Sequence, residues 1–248
     1  MKRETARTAR ATRPDSDLAA DKNLADKNLA HKNLADKNLA VANTPGGGLN
    51  RHTITGFLAR LFAEQGQAAY LGEPVTMAEH MLQGAMLAEA AGHGDVVIVA
   101  ALLHDIGHFI SAHGQFSMQD DQDRWHEEAG ADLLARFFPQ AVVDAVRFHV
   151  AAKRYLCATE PDYLACLSPA SVHSLDLQGG VMGADEAAEF ARQPNLGMIL
   201  TVRRLDDAGK QAGLATPDFG HFAPKIERLA EQHWQSRTAA GGAENPDA

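Results

Sequence analysis

The sequence predicts an all-α fold, a single helical bundle of about eight or nine helices. Apolar residues recur at intervals of three and four from Thr53 onward, as they do on the buried face of a helix. N-cap residues, prolines and glycines separate these stretches at the positions where helices begin and end. The alternation typical of a strand is not evident. A content of 45% hydrophobic and 22% charged residues is that of an ordinary globular domain.

The sequence predicts one folded domain, at residues 51–237, between two tails. Residues 1–50 are predicted to form a disordered low-complexity tail and linker, and 238–248 a second disordered tail. A five-residue unit ending in Lys-Asn-Leu occurs four times in residues 20–39. Its period of five matches no helical stripe, so the leucines do not form an apolar face. The glycine-rich segment after it is typical of a linker.

Composition limits the classes of partner and compartment. A formal net charge of −9 argues against a general nucleic-acid binder. The two cysteines, Cys157 and Cys166, form no CxxC motif and no disulfide framework, which favours a reducing, cytoplasmic location. No apolar run approaches the length of about 20 residues that spans a bilayer, so we expect no membrane insertion. The oligomeric state is left open.

The first half of the folded domain carries the central motif. Apolar residues from Ile54 to Phe62 predict a first helix, and Thr76-x-x-Glu79 is a capping box that opens a helix bearing His80. A third helix is predicted to continue through Ala100-Ala-Leu-Leu-His-Asp-Ile-Gly-His108. On such a helix His104 and His108 would share one face, with Asp105 beside them.

The second half continues the helical pattern after a polar loop predicted at 113–123. One helix carries His126, and Pro139 begins the next, which carries His149. Ser168-Pro169 caps a short helix that ends at Gln178-Gly-Gly. Three further helices are predicted near 185–192, 197–207 and 222–235.

Histidines and aspartates on these helices form a candidate metal site. Most have apolar neighbours, where a single imidazole is more often a hydrogen-bonded core residue than a ligand. Five such histidines around one His-Asp pair are hard to satisfy in that way, because each buried ring nitrogen needs a partner. The candidate ligands are His80, His104, Asp105, His126, His149 and Asp206. Imidazole and carboxylate suit Fe, Mn, Co, Ni or Zn.

The ligand pattern resembles the HD superfamily of metal-dependent hydrolases and oxygenases. Its signature is a His, a His-Asp pair and a distant Asp, which match His80, His104-Asp105 and Asp206. Four further runs are similar to the di-iron HD oxygenase of phosphonate catabolism, the type that cleaves 2-amino-1-hydroxyethylphosphonate to glycine and phosphate with O₂. They are His149-Val-Ala-Ala-Lys-Arg-Tyr-Leu156, Leu167-Ser-Pro-Ala-Ser171, Gln178-Gly-Gly and Arg203-Arg-Leu-Asp206-Asp-Ala-Gly-Lys210.

The resemblance implies two iron ions, as Fe²⁺ and Fe³⁺, with O₂ as co-substrate. One ion would take His80, His104, Asp105 and Asp206, and the other Asp105, His126 and His149, with Asp105 as the bridge. Asp105 and His104 are accordingly predicted to be catalytic. Tyr70 and Glu73, in the loop before the first ligand helix, match a lid in which the Tyr can occupy an iron site and the Glu meets the substrate amine.

The resemblance also implies a set of substrate contacts: His108, Lys153, Ser171, Ser174, Gln178 and Arg203. Lys153 lies one turn beyond His149, and Arg203 one turn before Asp206, so both cations lie on a ligand-bearing helix face. Ser171 and Ser174 present two hydroxyls near the start of a helix, where the dipole favours an anion. Gln178 could contact substrate or only end its helix.

Three alternatives remain open from the sequence. The same ligands would serve a phosphohydrolase that acts on a phosphate ester without O₂. A degenerate HD domain that only binds a ligand is disfavoured, since no ligand is missing. An N-trimethylated hydroxyphosphonate could replace the primary amine, although a quaternary ammonium usually prefers an aromatic cage and the chain has only 2 Trp and 3 Tyr.

Overall fold

The computed structural model of this chain describes residues 48–70, 72–110 and 125–239, and within these ranges it contains helices and no strand. The described residues form ten α-helices and one short 3₁₀ helix, Ile106–Phe109. The α-helices are α1 Ile54–Gln65, α2 Met77–Ala90, α3 Asp95–Leu103, α4 His126–Leu134, α5 Gln140–Thr159, α6 Tyr163–Cys166, α7 Pro169–Leu177, α8 Ala184–Phe190, α9 Leu196–Ala208 and α10 Phe219–Ala239. The all-α prediction is confirmed.

Helix α3 lies at the centre of the bundle. Its last six residues, Ile98 to Leu103, are all buried, as expected of a helix that is apolar on every side. It contacts α2, α5, α9 and α10. A smaller apolar cluster, which includes Ala152, Phe190 and Ile199, packs α8 against α5. Because α3 is surrounded, the residues that follow its C-terminus are delivered into the interior of the protein.

Two predicted helix starts are confirmed by their caps. The Thr76 hydroxyl accepts from the Glu79 amide at 3.2 Å, and the Glu79 carboxylate accepts from the Thr76 amide at 2.7 Å. The Ser168 hydroxyl accepts from the Ser171 amide at 3.1 Å, with Pro169 in the first turn. Helix α7 also stops where predicted, since Gly179 adopts a φ of 95° that glycine tolerates best.

The central motif is not one helix, and that prediction is wrong. Helix α3 ends at Leu103, His104 is its C-cap, and His108 lies in the 3₁₀ helix. The backbone turns at Asp105, which has φ −101° and ψ 11°. The turn brings Gly107 against the start of α4, where an added Cβ would lie 1.8 Å from the His126 carbonyl oxygen. Tertiary packing therefore ends this helix one turn early.

Other boundaries differ by a few residues. Helix α6 has no counterpart in the prediction, and α10 begins at Phe219 and continues to Ala239, two residues into the predicted tail. The predicted loop at 113–123, the pentapeptide repeat and most of both tails lie outside the described residues. Within the described part of the chain, none of the helices combines the length and the apolar character needed to cross a bilayer.

Candidate metal centre and its pocket

Six buried side chains converge below the C-terminus of α3. Helices α2, α4, α5 and α9 contribute His80, His126, His149 and Asp206, and the turn after α3 contributes His104 and Asp105. They form two groups whose potential ligand atoms lie within 4.8 Å of one another. The first contains His80, His104 and Asp206, and the second Asp105, His126 and His149. All six predicted metal ligands are therefore brought together.

Asp105 lies between the two groups and faces each with a different oxygen. Its Oδ2 is 3.5 Å from His80 Nε2 and 3.4 Å from His104 Nε2. Its Oδ1 is 3.2 Å from His126 Nε2 and 3.3 Å from His149 Nε2. Asp206 adds a second carboxylate to the first group, with Oδ1 3.4 Å from His80 Nε2. One carboxylate is thus placed to bridge two cations.

The orientation of the histidine rings fits metal binding. Nδ1 of His80, His104 and His149 lies 2.7 to 2.9 Å from the carbonyl oxygens of Gly209, Ala101 and Val146. Donation from each Nδ1 leaves the Nε2 lone pair directed inward, as in metal-ligating histidines. His80 Nε2 and His104 Nε2 then face each other at 3.0 Å. Two opposed lone pairs at this distance repel unless a proton or a metal ion lies between them.

The two carboxylates carry negative charge, and each has one oxygen without a hydrogen-bond donor among the described residues. Asp105 Oδ2 and Asp206 Oδ1 are buried without a hydrogen bond among the described residues. Burial opposes ionisation, but the His104, His126 and His149 imidazoles hold the pKa of Asp105 well below its usual value. Burial likewise opposes protonation of His104, yet Asp105 and Asp206 raise its pKa to about 9. The site attracts positive charge, and a divalent ion would meet that demand.

A pocket opens directly above the two groups. It encloses about 510 Å³, part of which is open to solvent. It is lined by four of the ligands and by eleven other residues: Asp105, His126, His149 and Asp206, with Tyr70, Glu73, His108, Val150, Lys153, Ala170, Ser171, Ser174, Gln178, Arg203 and Lys210. Every predicted substrate contact and both predicted lid residues therefore line one pocket. Its lining of charged and hydroxyl side chains suits a small charged molecule.

The lysines of the pocket pair with the serines of α7. Lys153 Nζ donates to Ser174 Oγ at 2.6 Å, and Lys210 Nζ donates to Ser171 Oγ at 2.8 Å. Burial, and then the nearby Arg203 guanidinium, lower the pKa of Lys153 to about 7. Both of these contacts are to neutral hydroxyls, and neither ammonium group has a carboxylate of the described residues at hydrogen-bond distance. Both ammonium groups can therefore bind an anion that enters the pocket.

Arg203 lines the pocket but is held by protein carboxylates. Its guanidinium pairs with Asp206 and with Asp207, and its Nε also donates to the Tyr163 hydroxyl at 3.2 Å. Burial opposes its charge, yet Asp206 and Asp207 raise the pKa of Arg203 well above its usual value. The structure thus gives Arg203 a contact with a predicted metal ligand, and its predicted contact with substrate stays a prediction.

The two predicted lid residues lie over the metal groups. The Tyr70 ring stacks on His80, with centroids 3.9 Å apart, and burial and the Asp105 and Asp206 carboxylates raise the pKa of Tyr70 well above its usual value. The Glu73 carboxylate accepts from the Ser168 hydroxyl and lies 3.8 Å from Lys210 Nζ. Tyr70 is therefore a neutral phenol above the centre, and the Glu73 side chain lines the pocket.

His108 and Gln178 contribute polar atoms without partners. Both ring nitrogens of His108 and Oε1 of Gln178 are buried and make no hydrogen bond among the described residues. Burial, then the neighbouring His126, lower the pKa of His108 well below its usual value, so its ring is neutral. It stacks on His126 with centroids 3.9 Å apart. Buried polar atoms of this kind indicate a ligand that completes their hydrogen bonds.

Three residues that take part in the site were not assigned from the sequence: Lys210, Asp207 and Tyr163. Asp207 is four residues after Arg203, a spacing that indicates an ion pair on a helix. Lys210 follows the end of α9, so helical periodicity does not place it. Tyr163 reaches Arg203 from α6, 40 residues earlier in the chain, and no local pattern signals that contact.

Comparisons with known proteins agree with this geometry. Residues 77–169 match the family model of the HD domain. The chain is 59% identical over 185 residues to the [1-hydroxy-2-(trimethylamino)ethyl]phosphonate dioxygenase (glycine-betaine-forming) of Leisingera caerulea, covering 75% of this chain and 94% of that protein. It is 42% identical over 175 residues to the hydroxymethylphosphonate dioxygenase of Gimesia maris, covering 70% of this chain and 87% of that protein. An uncharacterized protein of Acanthamoeba polyphaga mimivirus, L432, is 36% identical over 177 residues, which cover 70% of this chain and 81% of that protein.

Proposed function

Because the chain belongs to the HD-domain phosphonate dioxygenases and is therefore an HD-domain oxygenase, we propose that it cleaves the C–P bond of a 1-hydroxyphosphonate bearing an ammonium group at C2. The observation that carries the proposal is the bridging position of Asp105, beneath a pocket that offers cations to an anion and Glu73 to a cation. We propose two iron ions, as Fe²⁺ and Fe³⁺, at the two ligand groups. His and carboxylate ligands also suit Zn²⁺, but Zn²⁺ has no redox chemistry with which to activate O₂, whereas iron has.

The substrate we propose first is 2-(trimethylamino)-1-hydroxyethylphosphonate, with glycine betaine and phosphate as products. It is supported by the 59% identity to a relative named for that reaction. Both atoms of O₂ enter the products: the C1–P bond breaks, one oxygen atom is added to the carbon and the other to phosphorus. The carbon becomes a carboxylate, and O₂ accepts the electrons lost by carbon.

The second candidate is (R)-2-amino-1-hydroxyethylphosphonate, which would give glycine and phosphate. One observation favours it: among the described residues that line the pocket, Tyr70 is the only Tyr, Trp or Phe. A quaternary ammonium is usually recognised by several aromatic faces, whereas a primary ammonium can donate hydrogen bonds to the Glu73 carboxylate. The two candidates differ only in N-methylation, so one assay separates them.

The protein groups have separate roles in this reaction. Lys153 and the hydroxyls of Ser171 and Ser174 hold the phosphonate, and the Lys153 ammonium offsets part of its negative charge. His108 is neutral and can donate one hydrogen bond to an oxygen of the substrate. Glu73 pairs with the ammonium at C2, and Tyr70 covers the centre from solvent. Iron bound at the two groups would supply Lewis acidity and the redox chemistry of O₂.

The test is product formation by iron-loaded protein, with and without O₂, from the trimethylated, primary-amine and hydroxymethyl phosphonates. We expect glycine betaine and phosphate only with O₂, and ¹⁸O₂ should label both products once. Faster turnover of the primary amine than of the trimethylated compound would make the primary amine the preferred substrate. Phosphate release from a phosphomonoester without O₂, and none from any phosphonate, would instead establish a phosphohydrolase and refute the proposal.

A further inference from the structure

We propose that Lys210 is a substrate-binding residue that anchors the phosphonate group of the substrate together with Lys153. The inference rests on the proposed function. Lys210 lies on the loop after α9, and its side chain is 11% exposed. Its shortest contact is the 2.8 Å hydrogen bond to Ser171 Oγ at the pocket wall. The two carboxylates near it, Asp206 and Glu73, are 3.7 and 3.8 Å from Nζ.

The backbone on both sides of Lys210 is held in place by α2. The carbonyl oxygen of Gly209 lies 2.9 Å from His80 Nδ1, which donates to it. Gln83 is fully buried and binds Gln211 twice: its side-chain Nε2 donates to the carbonyl at 2.8 Å, and its Oε1 accepts from the amide at 2.9 Å. Lys210 is therefore presented to the pocket by a loop that is fixed on either side, which reduces the entropy lost when it binds an anion.

Lys210 and Lys153 each bind one serine hydroxyl on the same face of α7. Ser171 and Ser174 are buried and three residues apart, so their hydroxyls lie on one helix face. Each hydroxyl accepts from one lysine. An anion that contacts both serines therefore also comes within reach of both ammonium groups. The Ser171 hydroxyl keeps its own hydrogen available for an oxygen of that anion.

The distribution of charge in the pocket also supports Lys210 as a ligand of the phosphonate. The guanidinium of Arg203 is already paired with Asp206 and Asp207, so it adds little net positive charge for a ligand. A metal ion at Asp206 and a substrate ammonium at Glu73 would take the two carboxylates nearest Lys210. Its charge would then be left to the phosphonate. A dianionic head needs two cations, and Lys153 and Lys210 supply them.

The experiment compares Lys210→Met and Lys210→Arg with the unmodified enzyme, all iron-loaded. Lys225→Met is the matched control, because Lys225 pairs with Glu89 on α2, away from the pocket. KM and kcat are measured with the preferred phosphonate. The Kd of methylphosphonate, which lacks the hydroxyl and the ammonium, is measured by calorimetry without O₂. Iron content and circular dichroism establish that each variant is folded and loaded.

We expect Lys210→Met to raise both KM and the Kd of methylphosphonate at least about tenfold, with kcat changed less than about threefold and iron content unchanged. Lys210→Arg should recover part of the affinity, and Lys225→Met should match the unmodified enzyme. If the unmodified enzyme converts the phosphonate and Lys210→Met has the same KM and Kd, the role of Lys210 is refuted and the proposed function stands. Loss of iron in both Lys210 variants also overturns it, because Lys210 would then act through Asp206. Failure of the unmodified enzyme to bind or convert any phosphonate overturns the proposed function as well.

Discussion

Arg203 and Asp206 form a buried ion pair in which Nη1 lies 2.6 Å from Oδ2. Asp206 is at the same time a member of the first metal group, with its Oδ1 3.4 Å from His80 Nε2. The other side of the guanidinium is held by Asp207 and Tyr163, and the Tyr163 hydroxyl hydrogen-bonds to Asp207. The position of a metal ligand is therefore set by a chain of contacts that begins on α6.

We expect Asp207→Asn to weaken metal binding, although Asp207 is not itself a predicted metal ligand. The substitution removes one of the two negative charges that neutralise Arg203. The guanidinium would then bind the Asp206 carboxylate more strongly and compete with the metal for it. Loss of a group that orients a ligand typically costs about 10- to 100-fold in metal affinity. The measurement is the rate of iron loss to a chelator. The exposed Asp162, also on this side of the protein, provides the control Asp162→Asn, which should lose iron at the normal rate.

Asp105→Ala should disrupt both metal groups at once. Among the carboxylates of the described residues, Asp105 alone approaches both His104, with Oδ2, and His126, with Oδ1, so a ligand confined to one group cannot replace it. We expect bound iron to fall by at least about half, and activity by about 100-fold or more. Elemental analysis of the purified protein measures the iron directly. Asp132→Ala, at an exposed ion pair with Arg147, is the control. Normal iron content in Asp105→Ala would exclude a bridging role.

Gly107→Ala tests why the motif helix stops early. The new Cβ would lie 1.8 Å from the His126 carbonyl oxygen, so the 3₁₀ helix and α4 must separate. Overpacking of this kind costs about 1–3 kcal/mol of unfolding free energy and should displace His126 from the second metal group. Gly56→Ala is the matched control: nothing lies within 4 Å of its added Cβ, and α1 should gain about 0.5–1 kcal/mol. Denaturant unfolding and iron content measure both effects, and equal stability of the two variants would contradict the steric argument.

Lys153 should make kcat/KM fall as the pH rises above neutrality. Burial and Arg203 lower its pKa to about 7, while Asp206 and Asp207 oppose and Lys210 adds to that shift. The ammonium form, which holds the phosphonate, is present below this pKa and is lost above it. kcat/KM reports the free enzyme and so follows this titration.

Lys153→Arg provides the comparison, since an arginine keeps its charge throughout the accessible pH range. The second ionisation of the phosphonate is the same for both proteins and cancels in the ratio of their profiles. We expect the alkaline decline in kcat/KM to be absent in Lys153→Arg and unchanged in the surface variant Lys225→Arg. A decline that persists at the same pH in Lys153→Arg would assign the titration to another group.

The fold class and the choice of ligand residues follow from the sequence because both depend on short-range regularities. Apolar spacing identifies α1, and the caps at Thr76 and Ser168 mark the starts of α2 and α7. Histidines with apolar neighbours are recognisable as candidate ligands for the same reason. Each of these signals lies within one or two helical turns.

The shape of the site was decided by contacts between distant segments. Helix α3 ends at Leu103 because the backbone of Gly107 packs directly against the carbonyl group of His126. Helical periodicity contains no information about that contact. Lys210 enters the pocket because Gln83, 128 residues earlier in the chain, fixes Gln211. Local sequence specifies which helices form. The packing of α2, α5 and α9 around α3, and of α4 against the 3₁₀ helix, decides where the backbone turns at Asp105 and which positively charged side chains line the pocket above it.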